Sequence, residues 1–162
     1  LDGVTIVVSG SKVYRLNSSY LSLEIGTLAT TSGMVGMASN GSEVLIVDGI
    51  TGYLATKTSL SMISDVDFPQ GVTSCGYVDG WFLVAGDGSG RFYMNETPGT
   101  GSAWNGLDFA SAERRPDPIA RLITDHAEVW LVGTQTFPIA GAIAIAVMLV
   151  GTVITWFLFP GG

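Results

Sequence analysis

Trp81-Phe-Leu-Val-Ala-Gly86 and, after Asp87-Gly-Ser89, Gly90-Arg-Phe-Tyr-Met94 decide the fold class of this chain. An apolar run, a glycine turn and an aromatic-bearing second run read as a β-hairpin. Branched and aromatic side chains suit a pleated surface, and glycine supplies the positive φ of the turn. The same unit stands at Thr5-Ile-Val-Val-Ser-Gly10 with Lys12-Val-Tyr-Arg-Leu16, and at Val44-Leu-Ile-Val-Asp-Gly49 with Gly52-Tyr-Leu-Ala55. Val129-Trp-Leu-Val-Gly133 begins a fourth. Aligned on Ile6, Leu45, Phe82 and Trp130, the units recur at intervals of 39, 37 and 48 residues, close to the ~40 to 50 residues of one propeller blade. Thr30 to Gly41 and Phe68 to Gly80 each add a short strand ending in Asn-Gly or Asp-Gly, a strong turn dipeptide.

The expectation is an all-β partial β-propeller of three to four antiparallel blades, each of three to four strands. Alternation places Ile6, Val8, Leu45, Val47, Phe82 and Val84 on one face, with Val7, Ile46 and Leu83 against the next sheet. Asp117 to Asp125 reads either as a turn or two of helix or as a blade's innermost strand. Closed rings take ~4 to 8 blades, so some sheet edges are expected to be covered by another chain.

The 162 residues suffice for one domain with a sizeable core. With 47% hydrophobic residues, 22 Gly, 30 Ser or Thr and 21 charged side chains, neither disorder nor a charged helical bundle fits. The net charge of −7 opposes a phosphate-binding surface, so no sequence-specific nucleic-acid partner is expected.

All 21 charged residues precede Val129. Residues 1–136 therefore read as a propeller-like domain and 137–162 as a hydrophobic tail that starts at a C-terminal helix. Between Pro138 and Pro160 run 21 uncharged residues, Ile139 to Phe159, long enough for a helix to cross the ~30 Å hydrocarbon layer. Ile139, Val147, Leu149, Ile154, Trp156 and Phe157 would be its anchor residues. Leu1-Asp2-Gly3 carries no leader pattern, so a span is expected as a C-terminal anchor.

Chemistry finds little support. A single Cys75 and a single His126 exclude an internal disulfide and a histidine metal cluster. Asp125-His126-Ala-Glu128 joins the imidazole to carboxylates, and on a strand Glu128 would share its face while Asp125 would not. No Gly-x-Ser-x-Gly elbow presents a nucleophile, so a hydrogen-bonded histidine at a blade turn is expected. Gly86 to Gly90 lacks the Lys-Ser/Thr of a phosphate loop and reads as a hairpin loop. Asp65-Val-Asp67 lacks the other ligands of a calcium loop. Asn17, Asn40 and Asn95 stand in Asn-x-Ser/Thr triplets, and turn-forming asparagine is the plainer account of them. Neither an enzyme nor a cofactor is expected.

Three further blocks carry a resemblance: Trp104-Asn-Gly-Leu-Asp-Phe-Ala-Ser-Ala-Glu113 with Pro116-Asp-Pro-Ile119; Asp125-His-Ala-Glu-Val-Trp-Leu-Val-Gly-Thr-Gln-Thr136; and Met37 to Gly49 with Asp79 to Val84 and Arg91-Phe-Tyr93. Over residues 3–136 the chain resembles the packaged-DNA stabilisation, or tail-hub, proteins of short-tailed phages. The resemblance implies a propeller-like virion protein that sits in a ring beneath the portal, plugs its exit channel and joins head to tail. Portal and tail proteins and ring neighbours would be its partners. No catalytic residues come with it, and it leaves out the tail from Phe137 onward. Trp104, Phe109 and Trp130 are the expected inter-blade or assembly contacts. A membrane-anchored β-propeller binding module, held to a bilayer through residues 139–159, is the alternative.

Overall fold

The computed structural model describes residues 1, 3–112 and 117–134. The tail helix and its anchor residues lie outside the described residues. Among those described, the chain forms strands and no helix. The first sheet is β1 (Thr5–Ser9), β2 (Lys12–Leu16) and β3 (Ser22–Thr27). The second is β4 (Gly36–Ser39), β5 (Val44–Val47), β6 (Gly52–Ala55) and β7 (Leu60–Met62). The third is β8 (Ser74–Val78), β9 (Trp81–Ala85), β10 (Arg91–Asn95) and β11 (Trp104–Ser111), and the fourth is β12 (Ile119–Asp125) with β13 (Glu128–Gly133). Each is an antiparallel meander in chain order. Asp117 to Asp125 thus resolves to strand.

The three hairpins form where glycine punctuates the apolar runs: Ser9 opposes Lys12, Val47 opposes Gly52 and Ala85 opposes Phe92. Asp79-Gly80 makes the two-residue turn between β8 and β9, with φ of 49° and 92°. That pair of positive values defines the type I′ turn, whose twist matches the flanking strands.

The sheets stack through three apolar layers. Val44, Ile46, Tyr53 and Ala55 of the second sheet meet Val13, Ile6 and Val8 of the first. The second sheet's other face, Leu45, Val47 and Leu54, meets Phe82, Val84 and Trp104 of the third. Leu83 and Ala85, behind them, meet Ile119, Leu122 and Leu131 of the fourth. Period-two alternation thus sends neighbouring residues of one strand into different layers. The six residues expected on one face accordingly divide between two interfaces. Val7 corrects the expectation: it is 37% exposed, because the first sheet has no described sheet on that side.

β8 lies against both β4 and β12, while β3 touches β7. First strands therefore gather on the inner side of the stack and fourth strands on the outer side. Among the described residues, the first sheet carries strands of the second, third and fourth kind, and the fourth sheet strands of the first and second kind.

Close packing of the β7–β8 connection onto the second sheet depends on glycine at Gly52, where an added Cβ would fall 2.4 Å from Phe68 Cζ and 2.9 Å from Ile63 Cδ1.

Candidate assembly surface

Polar side chains in the turns of this stack are engaged in holding backbone. Asp48 is buried in the β5–β6 turn. Its Oδ1 accepts from the N–H groups of Ile50 and Thr51, both at 3.0 Å, and its Oδ2 from the N–H and hydroxyl of Thr30 and the Tyr53 hydroxyl. Burial opposes the charge, yet the N–H donors and the Thr30 hydroxyl outweigh it and hold the carboxyl below its ordinary range. Burial and the neighbouring carboxylate push the Tyr53 hydroxyl up.

Asp87, in the β9–β10 loop, repeats the arrangement. Its Oδ1 takes the N–H and hydroxyl of Ser89 and its Oδ2 the Tyr93 hydroxyl at 2.8 Å. Burial again works against the charge, and these bonds lower the carboxyl in spite of it. The glycine-dense Gly86 to Gly90 segment is therefore a carboxylate-braced hairpin loop. Asp65 accepts from the Trp104 N–H at 2.9 Å and from the Asp67 N–H at 3.0 Å, which lowers its carboxyl. The Asp65-Val-Asp67 pair thus places a strand start.

His126 lies at a turn between two strands and is hydrogen-bonded there, as the sequence leads one to expect. It occupies the two-residue turn between Asp125 and Glu128 with φ of 51°, and its Nδ1 lies 2.7 Å from Asp125 Oδ1. The turn conformation swings the imidazole toward Asp125, the side a regular strand would have denied it. Both side chains are solvent-exposed, and no hydroxyl or thiol faces them among the described contacts. Cys75 is half-buried in β8 and burial pushes its thiol up to about 12, which leaves it without thiolate character at neutral pH. Among the described residues no cluster of His, Cys, Asp or Glu has the geometry of a metal site.

Asn95 is 1% exposed. Its Oδ1 accepts from the Phe82 N–H at 2.7 Å, and its Nδ2 donates to the carbonyls of Thr97 and Thr100. The asparagine of the glycosylation triplet there is a buried structural device. Asn17 and Asn40 cap turns through their own Oδ1, to Ser19 and Leu21 and to Ser42 and Glu43 respectively.

The three aromatic positions singled out from the sequence fall in different surroundings. Trp104 is 3% exposed, meets Phe68 edge-on with centroids 5.0 Å apart, and donates Nε1–H to the Gly101 carbonyl at 2.7 Å. Phe109, on the outermost strand of the third sheet, lies beside Tyr93 of its own sheet at 6.1 Å, with the Arg91 guanidinium 4.3 Å above its ring. Trp130 is 44% exposed and pairs across the fourth sheet with Ile123. The structure therefore brings only Trp104 into an inter-sheet layer.

What remains exposed and apolar is organised. Leu23 on β3, Met62 on β7, and Leu107 and Phe109 on β11 form an outer rim. Ile123, Trp130 and Val132 occupy the outward face of the fourth sheet. Sequence reasoning passed over the rim because apolar residues on short strands look like core until the sheet order is known.

Four-stranded meanders stacked through their faces, with first strands gathered inward, have the geometry of propeller blades. The family model of bacteriophage P22 Gp10, beta-propeller, matches residues 2–144. The chain belongs to the bacteriophage P22 Gp10 family. No curated protein matches the sequence significantly. The P22 Gp10 family match extends eight residues beyond Thr136, so the start of the apolar tail lies inside it. Membership in the P22 Gp10 family gives the chain a phage structural role.

Proposed function

We propose that this protein is a virion component at the tail-hub end of the particle, where it plugs the portal exit, stabilises the packaged DNA and joins head to tail. The family match over residues 2–144 carries this reading. Its action is mechanical. Stacked sheets present apolar side chains on the outer rim and on the outward face of the fourth sheet, and such surfaces serve protein contacts. Portal and tail proteins and ring neighbours are its partners, and the work is done by burying these surfaces rather than by turnover. The carboxylates of the turns, bonded to backbone N–H groups and, at Asp48 and Asp87, to hydroxyls as well, stiffen the loops between strands.

The test is localisation in particles of the phage that encodes the chain. Gold-labelled antibody is expected at a single vertex of DNA-filled virions. Particles made without the protein are expected to lose their DNA on dilution. Its absence from purified particles, with recovery in the host membrane fraction, would instead support a bilayer-anchored module.

A further inference from the structure

Two aliphatic side chains of this molecule stand almost wholly in water. Val66 is 93% exposed and Leu107 81%, and neither place asks for such a residue. The Phe68 N–H donates to the Asp65 carbonyl at 3.2 Å, which closes a tight turn with Val66 and Asp67 at its centre. Glycine, proline, asparagine, aspartate or serine suits such a turn better than a branched apolar residue. Leu107 stands in a bulge. Tyr93 opposes Phe109 and Asn95 opposes Trp104, so the four residues Asn105 to Asp108 face the single Met94, and the outermost strand of the third sheet bows there.

Turn and bulge adjoin, and both are held from beneath. Asp65 Oδ2 accepts the Trp104 N–H at 2.9 Å, and its Oδ1 accepts the Asp67 N–H at 3.0 Å. The Leu107 N–H donates to Asn105 Oδ1 at 3.0 Å. A Cβ on Gly106 would lie 3.5 Å from Asp67 Oδ1, which sets the bulge beside the turn. Below them Phe68 and Trp104 meet edge-on in the apolar layer between the second and third sheets. A backbone fixed in this way has little freedom to lose on binding, so the side chains it carries contribute more of their buried area to affinity. Val66 and Leu107 are thus a rigid apolar pair where the outer edges of two sheets meet.

Charge points to what covers them. Each is followed by an aspartate, Val66 by Asp67 and Leu107 by Asp108, and neither carboxylate is ion-paired among the described residues. We propose that Val66 and Leu107 anchor this protein in an apolar groove of a different protein, one whose rim carries lysine or arginine to meet Asp67 and Asp108. A second copy is a poor occupant, because the chain carries a net charge of −7 and like charges brought across an interface oppose it. An anionic bilayer is disfavoured for the same reason. The proposal rests on the reading of the outer rim as a protein-contact surface and names the chemistry of what meets it.

The experiment places photoreactive p-benzoylphenylalanine at position 107 of the full chain, irradiates cells that are producing the phage, and sequences the cross-linked peptides. The expected product joins position 107 to another protein, at a peptide whose apolar residues lie between lysines or arginines. Val66→Asn should cut its yield at least about tenfold, as loss of an interface anchor does. Asp67→Asn combined with Asp108→Asn should cut it about threefold or more, through weaker attraction to the basic rim. The urea midpoints of these variants should stay with that of the parent chain, since surface substitutions perturb the fold little. A product between two copies of the chain, a product with lipid, a peptide rimmed by aspartate or glutamate, or a yield no greater than that of the same probe at exposed Thr58 would overturn the proposal. The expected product recovered from the host membrane fraction would support the groove while overturning the tail-hub reading. Absence of the product from virions that contain the chain would do the reverse.

Discussion

Asn95→Ala should lower stability by about 2 to 4 kcal/mol, a large effect for a polar residue in a loop-side position. The side chain, 1% exposed, closes three hydrogen bonds between β10, the start of β9 and the loop from Thr97 to Thr100. Alanine leaves the Phe82 N–H without an acceptor beside a residue that is 0% exposed, and an orphaned buried donor costs about 1 to 3 kcal/mol. The carbonyls of Thr97 and Thr100 lie nearer solvent and can turn to water, so each adds about 0.5 kcal/mol. Urea titration followed by tryptophan fluorescence reads this directly. With a slope of about 2 kcal/mol/M, the midpoint should fall by about 1 to 2 M. Asn95→Asp sharpens the test, because it keeps an acceptor for Phe82 and points a second oxygen at two carbonyls. Its ionised form is disfavoured in the fold, so its folded pKa lies above the unfolded value. The variant's deficit should therefore be smallest in acid and grow as pH rises through the unfolded carboxylate range. A loss below about 0.5 kcal/mol for Asn95→Ala, or a pH-independent deficit for Asn95→Asp, would refute the reasoning.

Trp104→Ala should cost about 3 to 5 kcal/mol through the cavity it leaves between the second and third sheets, whereas Trp104→Phe, which loses the bond to Gly101, should cost less; equal midpoints for the two variants in urea would contradict this. Gly52→Ala should destabilise by about 1 to 3 kcal/mol despite alanine's better backbone entropy, because its methyl meets the ring of the buried Phe68, and a stabilised variant would show that the layer yields. The lowered carboxyl of Asp48 contributes stability above the ordinary value of 3.8 that is lost as pH falls through its lower folded value; acid titration of Asp48→Asn should therefore show a shallower decline there than the parent chain, and identical slopes would assign the acid sensitivity elsewhere.

Hairpins were legible because they are local. Glycine at the turns and branched or aromatic residues beside it specify a two-strand unit within a dozen residues, and the repeat interval then specifies how many such units there are. The resemblance blocks led to the family for the same reason, since they lie on these strands and turns. Which face of a strand meets which neighbour is a different matter. Leu45 and Ile46 are equally apolar, and only stacking sends the first toward Phe82 and the second toward Val13. Val7 has the same composition cue as Ile46 yet remains 37% exposed, because burial depends on whether a further sheet exists.

The sequence by itself determined the all-β class, the places of the hairpins and the lack of a recognisable catalytic motif, because each rests on short-range pattern and side-chain chemistry. Tertiary structure alone decided what the polar residues do. Asn95 reads as a turn residue and is a buried clamp on the Phe82 N–H; the turn at His126 is legible, but its pairing with Asp125 rather than Glu128 is not; Asp65 carries no legible role and positions Trp104 from 39 residues away. The inner and outer ranking of the strands, and with it the outer rim, also appears only once the sheets are stacked. Partners brought together by chain reversal leave no mark on local composition, since the energy that selects them comes from desolvation and hydrogen bonding between segments distant in sequence.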